Sequence, residues 1–241
     1  MAVPWYKRPK FWEWLERFGA LGALASGVLA VWDKLFGAVW GSACGAVLLV
    51  AKYAKDRLDK AARADRDAYV KRAIGAVLNA LSEEYFSKVD AGERHNHRAT
   101  LFFVTTGNHG TTKQLHIYQR AGVFKASTTA FAVNEDEEQL CEGVAGRIWF
   151  CSAARTVELP DWTDAEADQQ EYAAKGFLTL PQAAVLNVKS KVVSGIVVRV
   201  GGNRWGVLVV DSKTRGVVTK RKEVLLARYA KLVGNLLEEA Q

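Results

Sequence analysis

Charged residues almost disappear from the early part of the chain. Between residues 18 and 51 the only charges are Asp33 and Lys34, which split the segment into uncharged runs at 18–32 and 35–51. Each run is shorter than the ~20 residues an α-helix needs to cross a hydrocarbon core about 30 Å thick. Trp12, Trp14, Trp32, Trp40 and Tyr53 stand near the run edges, where aromatic residues extend apolar helices as interfacial belts. The pattern predicts a helical hairpin over 18–51 turning at 33–34, either spanning or re-entrant, with both ends on one side. A buried hairpin of a soluble protein gives the same pattern. A cleaved signal peptide fits less well, because no clean small-x-small site precedes Asp33 and a second apolar run follows. Gly37, Gly41 and Gly45 recur on one face of the second run, a spacing that lets apolar helices approach closely.

Beyond Lys52 the period becomes that of amphipathic elements. Residues 52–86 read as a helix, polar and Ala-rich at first, then with Val70, Ile74, Val77, Leu78, Leu81 and Tyr85 on one face. Residues 90–98, charged and containing Gly92, read as a loop. Strands are expected at 100–106 and 114–118 around the turn 107–110, and a third at 128–133. Residues 135–141 open a short helical region. A longer excursion at 164–186 holds a helix over 165–175 and a break at Leu180 and Pro181. Residues 194–212 alternate as two strands, Ile196, Val198 and Val200 on the first and Val207, Val209 and Asp211 on the second. Gly201, Gly202 and Asn203 supply the tight turn between them. The last helix, 220–240, carries Leu225, Tyr229, Leu232, Val233 and Leu236 on one face.

Composition narrows the partners. The 241 residues allow one domain of ordinary size plus an appendage. A net charge of +7 suits nucleic acid, anionic lipid or a phosphorylated ligand, and the placement of the charge chooses among them. Lys7, Arg8 and Lys10 precede the apolar segment, and Lys52, Lys55, Arg57, Lys60, Arg63 and Arg66 follow it. That arrangement favours a lipid bilayer over nucleic acid, and places both flanks on the cytoplasmic side of a cell inner membrane. Cys44, Cys141 and Cys151 form neither an even disulfide framework nor a CxxC pair, and no zinc spacing is present. No metal and no cofactor are expected.

Two ordered blocks carry a family likeness. Ser194, then Gly206, Val207 and Leu208 with Asp211 and Ser212, resemble the closing hairpin of GAF domains; Arg199 stands about where that family often has proline. Glu142, Gly143, Val144, Ala145, Gly146 and Arg147, followed by residues 155–161 ending in Pro160 and Asp161, resemble a second GAF segment. The resemblance covers roughly residues 64–241 and implies an α+β fold, a GAF-like antiparallel sheet flanked by helices. The α-helical transmembrane hairpin would precede it, with an interfacial stretch at 1–17 and a juxtamembrane helix at 52–63.

The resemblance also implies where a ligand would lie: over one face of the sheet, under residues 161–191. There Trp162, Tyr172 and Phe177 can stack on a planar ligand. Phe131 and Ser194 would line the floor, and Arg147, Lys189, Lys191 and Arg204 could meet phosphates. A core role for these aromatics and a solvent-facing role for these bases remain open alternatives. The signature of cyclic-nucleotide GAF domains is not found, so the ligand is a small molecule with a nucleotide second messenger as one candidate.

The implied function is a membrane-anchored GAF-type sensor, non-enzymatic, that signals through its hairpin. This layout resembles bacterial antiviral effectors that disrupt membranes. The alternative is a membrane-docking module for a partner signalling enzyme. A third reading, the GAF-type free methionine sulfoxide reductase, would use Cys141 and Cys151, but the cysteine which that family carries after the Pro-Asp segment has no counterpart here. A parallel homo-oligomer is expected through the helices at 70–85 and 225–236, which begin and end the domain.

Overall fold

The structure, a computed structural model, describes residues 11–15, 17–18, 34–106, 113–122, 129–219 and 222–240. The chain divides into two compact units, Met1–Tyr69 and Val70–Gln241. Residues 11–15 and 17–18 are helical. Helix α1, Lys34–Tyr85, begins in the first unit and absorbs residues 52–63, which are therefore no separate juxtamembrane element. In the first unit Leu49, Val50 and Tyr53 are exposed, and Arg57 donates to the Tyr53 hydroxyl from Nε at 2.9 Å and Nη2 at 2.7 Å. The turn of the expected hairpin at Asp33 and its first run lie outside the described residues. Residues 34–48 are described as helical backbone alone, so the packing expected at Gly37, Gly41 and Gly45 lies outside what is described. Among the described residues no helix is long and apolar enough to cross a membrane.

The second unit is built on the expected antiparallel sheet flanked by helices. Its strands are β1 (His97–Thr106), β2 (Lys113–Ala121), β3 (Phe131–Val133), β4 (Arg155–Glu158), β5 (Val192–Val200) and β6 (Asn203–Ser212). They lie in the order β3-β2-β1-β6-β5-β4, every neighbouring pair antiparallel. Short helices follow β3 and β4: α2 (Gly143–Phe150), α3 (Glu166–Lys175) and α4 (Leu180–Ala184); α5 (Glu223–Glu238) ends the unit. The β5–β6 turn is made by Gly201 at φ 55° and Gly202 at φ 82°, the pair of positive φ angles that a two-residue hairpin loop needs.

Strand alternation then sorts the side chains into two layers. On one face Ala99, Leu101, Val198, Val200, Leu208 and Val210 pack with Ile74, Leu78 and Leu81 of α1 and with Leu226, Ala230 and Val233 of α5. On the other, Phe102, Leu115, Val207 and Val209 pack with Val144, Ile148 and Trp149 of α2 and Tyr172 of α3. The two sets noted on the closing hairpin thus face opposite ways, because Ile196 pairs with Leu208 and not with Val207.

Candidate functional site

The second layer is not filled. A cavity of about 80 Å³ lies between the sheet and the α2–α4 side. Alternation builds its floor: Arg98 and Phe102 of β1, Arg120 of β2, Val193 of β5, and Val209 and Asp211 of β6. Register sets the polar row, since Arg98 is directly opposite Asp211, and Thr100 is opposite Arg120 on one side and Val209 on the other. The walls come from Phe131, from Val144 and Ala145 at the start of α2, and from Leu159, Tyr172 and Leu178.

A buried carboxylate needs partners, and Asp211 has them. Arg98 Nε donates to Asp211 Oδ1 at 2.8 Å and Oδ2 at 2.6 Å, and Ser190 Oγ donates to Oδ1 at 2.8 Å. The Tyr172 hydroxyl donates to the Ser190 carbonyl at 3.1 Å, and burial pushes the Tyr172 phenol above its usual range. Arg120 is placed differently. Among the described residues its side chain makes one hydrogen bond, from Nε to Thr100 Oγ1 at 3.1 Å, and forms no ion pair with a carboxylate. Burial, then the neighbouring charge of Arg98, holds its guanidinium below the usual range, while Asp211 works in the opposite direction. At the start of α2 the Glu142 carboxylate does not cap the helix; it accepts from Ala132 N at 3.0 Å and from Gln182 Nε2 at 2.9 Å.

Of the residues singled out from sequence, Phe131 and Tyr172 line this cavity and the other seven do not. Trp162 packs edge-on against Tyr172 at 5.5 Å. Lys189 covers the Trp162 ring at 4.5 Å and spends its ammonium on the end of α4, donating to the carbonyls of Ala183, Ala184 and Leu186 at 2.5, 2.9 and 2.7 Å. Lys191 pairs with Asp161 at 2.9 Å. Phe177, at φ 56°, accepts Gly143 N on its carbonyl at 2.8 Å, with Arg147 over its ring at 4.6 Å. Arg204 lies over the rings of Trp149 and Phe150 at 5.9 and 5.7 Å. Ser194 faces the opposite layer, its Oγ 2.9 Å from Thr156 Oγ1, because it shares the parity of Ile196 and Val198.

The residues that sequence reasoning passed over are Arg98, Arg120 and Asp211 as a set. Neither Cys141 nor Cys151 lines the cavity, and burial raises the Cys141 thiol above its usual range. Among the described residues no group of three His, Cys, Asp or Glu side chains is placed to hold a metal.

No family model and no curated protein matches the chain. Solved structures similar to it include the type II free methionine-R-sulfoxide reductase of Thermoplasma acidophilum, at 13% identity over 72% of this chain and 96% of that one, with a TM-score of 0.47. A region of a methyl-accepting chemotaxis protein is similar at 15% identity, over 73% and 96% of the two chains, with a TM-score of 0.46. The GAF domain of an Acinetobacter phosphoenolpyruvate-protein phosphotransferase is similar at 12%, over 73% and 92%, with a TM-score of 0.43. With TM-scores below 0.5, these likenesses carry no functional information for this chain.

Proposed function

We propose that the second unit is a GAF-type sensor that binds a small molecule in the cavity between the sheet and α2. The observation that carries this reading is the polar row sunk into an otherwise apolar layer. Two guanidinia and a carboxylate on the inner face of a sheet are costly to bury, and a ligand site is the usual reason to keep such groups beside an unfilled space. The resemblance of the closing hairpin and of residues 142–161 to GAF segments supports the same reading. In this proposal the apolar run 35–51 associates with a bilayer, and signalling passes between it and the sensor along α1, part of which packs directly on the sheet. A groove on the outer side of α1 and α5, formed by Ala76, Val77, Ala80, Arg228, Tyr229 and Leu232, is the place for a second copy of the chain.

The test uses the full chain in detergent. Native mass spectrometry should find a co-purified small molecule. Ala145→Leu, which adds side-chain volume at the cavity wall, should expel it while leaving the thermal transition cooperative. A chain that carries nothing, and gains no thermal stability from any member of a metabolite collection, would remove the sensor reading.

A further inference from the structure

The character of the ligand follows from what the polar row leaves unfinished. Asp211 is neutralised by Arg98 and accepts a further hydrogen bond from Ser190, so the carboxylate on the floor is already satisfied. Arg120 is not matched in this way: its one side-chain hydrogen bond among the described residues is to a hydroxyl, and no carboxylate pairs with it. The cavity therefore holds two guanidinia against one carboxylate, an excess of one positive charge. We propose that this cavity binds a small monocarboxylate, its two oxygens taken by the Arg120 guanidinium and its apolar end set against Phe131, Val144 and Leu178.

Three considerations choose this class. A planar carboxylate matches the guanidinium fork in two parallel hydrogen bonds, and such charge-assisted pairs are roughly twice as strong as neutral ones. The excess of one charge suits a single negative charge; a phosphate would bring a second, beside Asp211. The third is the lining: Phe131, Val144 and Leu178 offer apolar surface beside the polar row, which suits an acid with an apolar tail. The shift in Arg120 agrees in direction: burial and Arg98 both disfavour its charge, so an anion here would relieve both. The proposal rests on the cavity being the ligand site, and names what occupies it.

The experiment is a calorimetric titration of the full chain in detergent with acetate, propionate, isobutyrate and isovalerate, each beside its uncharged amide. At least one acid should bind, and bind about tenfold or more tightly than its amide. Arg120→Met should lose that preference, and Arg120→Lys, which keeps the charge without the fork, should retain part of it. The acid–amide comparison on the unaltered chain stands even if Arg120→Met fails to fold. Equal binding of acid and amide, binding of no acid in the set, or unchanged acid binding by Arg120→Met would each overturn the proposal. The sensor reading itself fails separately. If Ala145→Leu still expels a co-purified molecule that is not a carboxylate, the cavity is the site and only its assigned ligand is wrong.

Discussion

His97 is adjacent to the cavity residue Arg98 on β1 but points to the other layer, and its ring has only one place to lose a hydrogen. Its Nδ1 is 2.9 Å from Ser212 Oγ, and the Ser212 hydroxyl already donates to the Thr214 carbonyl at 2.8 Å. The imidazole therefore donates from Nδ1, leaving Nε2 buried with no partner among the described residues. Burial lowers the His97 pKa, with Glu93 and Asp211 opposing and His95 and Lys222 adding to the effect, while Phe86 stacks on the ring at 4.5 Å. An unfolded histidine titrates near 6.5, so below that pH the unfolded chain takes up a proton that the folded one refuses. Stability at this site is present above about pH 6.5 and falls as the solution becomes more acidic. Urea midpoints at about pH 7.5 and 5.5 should drop less in His97→Gln than in the unaltered chain; equal drops would exonerate His97.

The same scale shows why the candidate site is only partly legible in the sequence. Tyr172 in the aromatic cover and Phe131 on the floor are legible by type, whereas Ser194 stands out by motif against its own parity, since alternation places it with Val198 on the side of α1 and α5. Arg98 falls in a stretch that reads as loop and the second strand reads as ending at Tyr118, so Arg120 does not count as a charge inside a sheet. An inward charge on a strand was the available signal, and Asp211, already counted among the alternating residues, was its visible member.

At the scale of elements, the apolar face of a helix in sequence does not say which of its residues meet the sheet and which meet a partner. Leu78 and Leu232 belong to the two helical stripes, yet Leu78 is 0% exposed in the core and Leu232 is 44% exposed. A charge at Leu78 would break the core and report nothing about assembly. A charge at Leu232 enters the groove between α1 and α5. Leu232→Glu should halve the mass seen by light scattering and leave the thermal transition within a few degrees. If Leu232→Glu and Val77→Glu both keep the original mass, no second copy sits there. Elements themselves were well marked: the closing hairpin, the final helix and the sheet-packed part of α1 all follow their periods. The start of β1 and the end of β2 read short because the half-buried charges at Arg98 and Arg120 look, by type, like the residues of a turn.

At the scale of the whole molecule, basic flanks and an apolar run make separable demands on a membrane. Attraction of lysine and arginine to anionic lipid is screened over about 3 Å at 1 M salt, whereas insertion of apolar residues is not. The full chain should co-sediment with phosphatidylglycerol vesicles and stay bound at high salt. Release by salt would reduce the association to the basic flanks, and failure to bind would remove it.

The sheet order has one more consequence, in the time a cell needs to make the protein. β1 sits at the middle of the sheet, yet one of its two neighbours, β6, is near the far end of the unit; His97 and Ser212 are 115 positions apart. At roughly 5–20 residues per second, synthesis takes about 6–23 s to cover that distance. Once Ala121 has been added, the β1–β2 hairpin spends the rest of that interval with one flank open, and the carboxylate that will neutralise Arg98 has not yet been made.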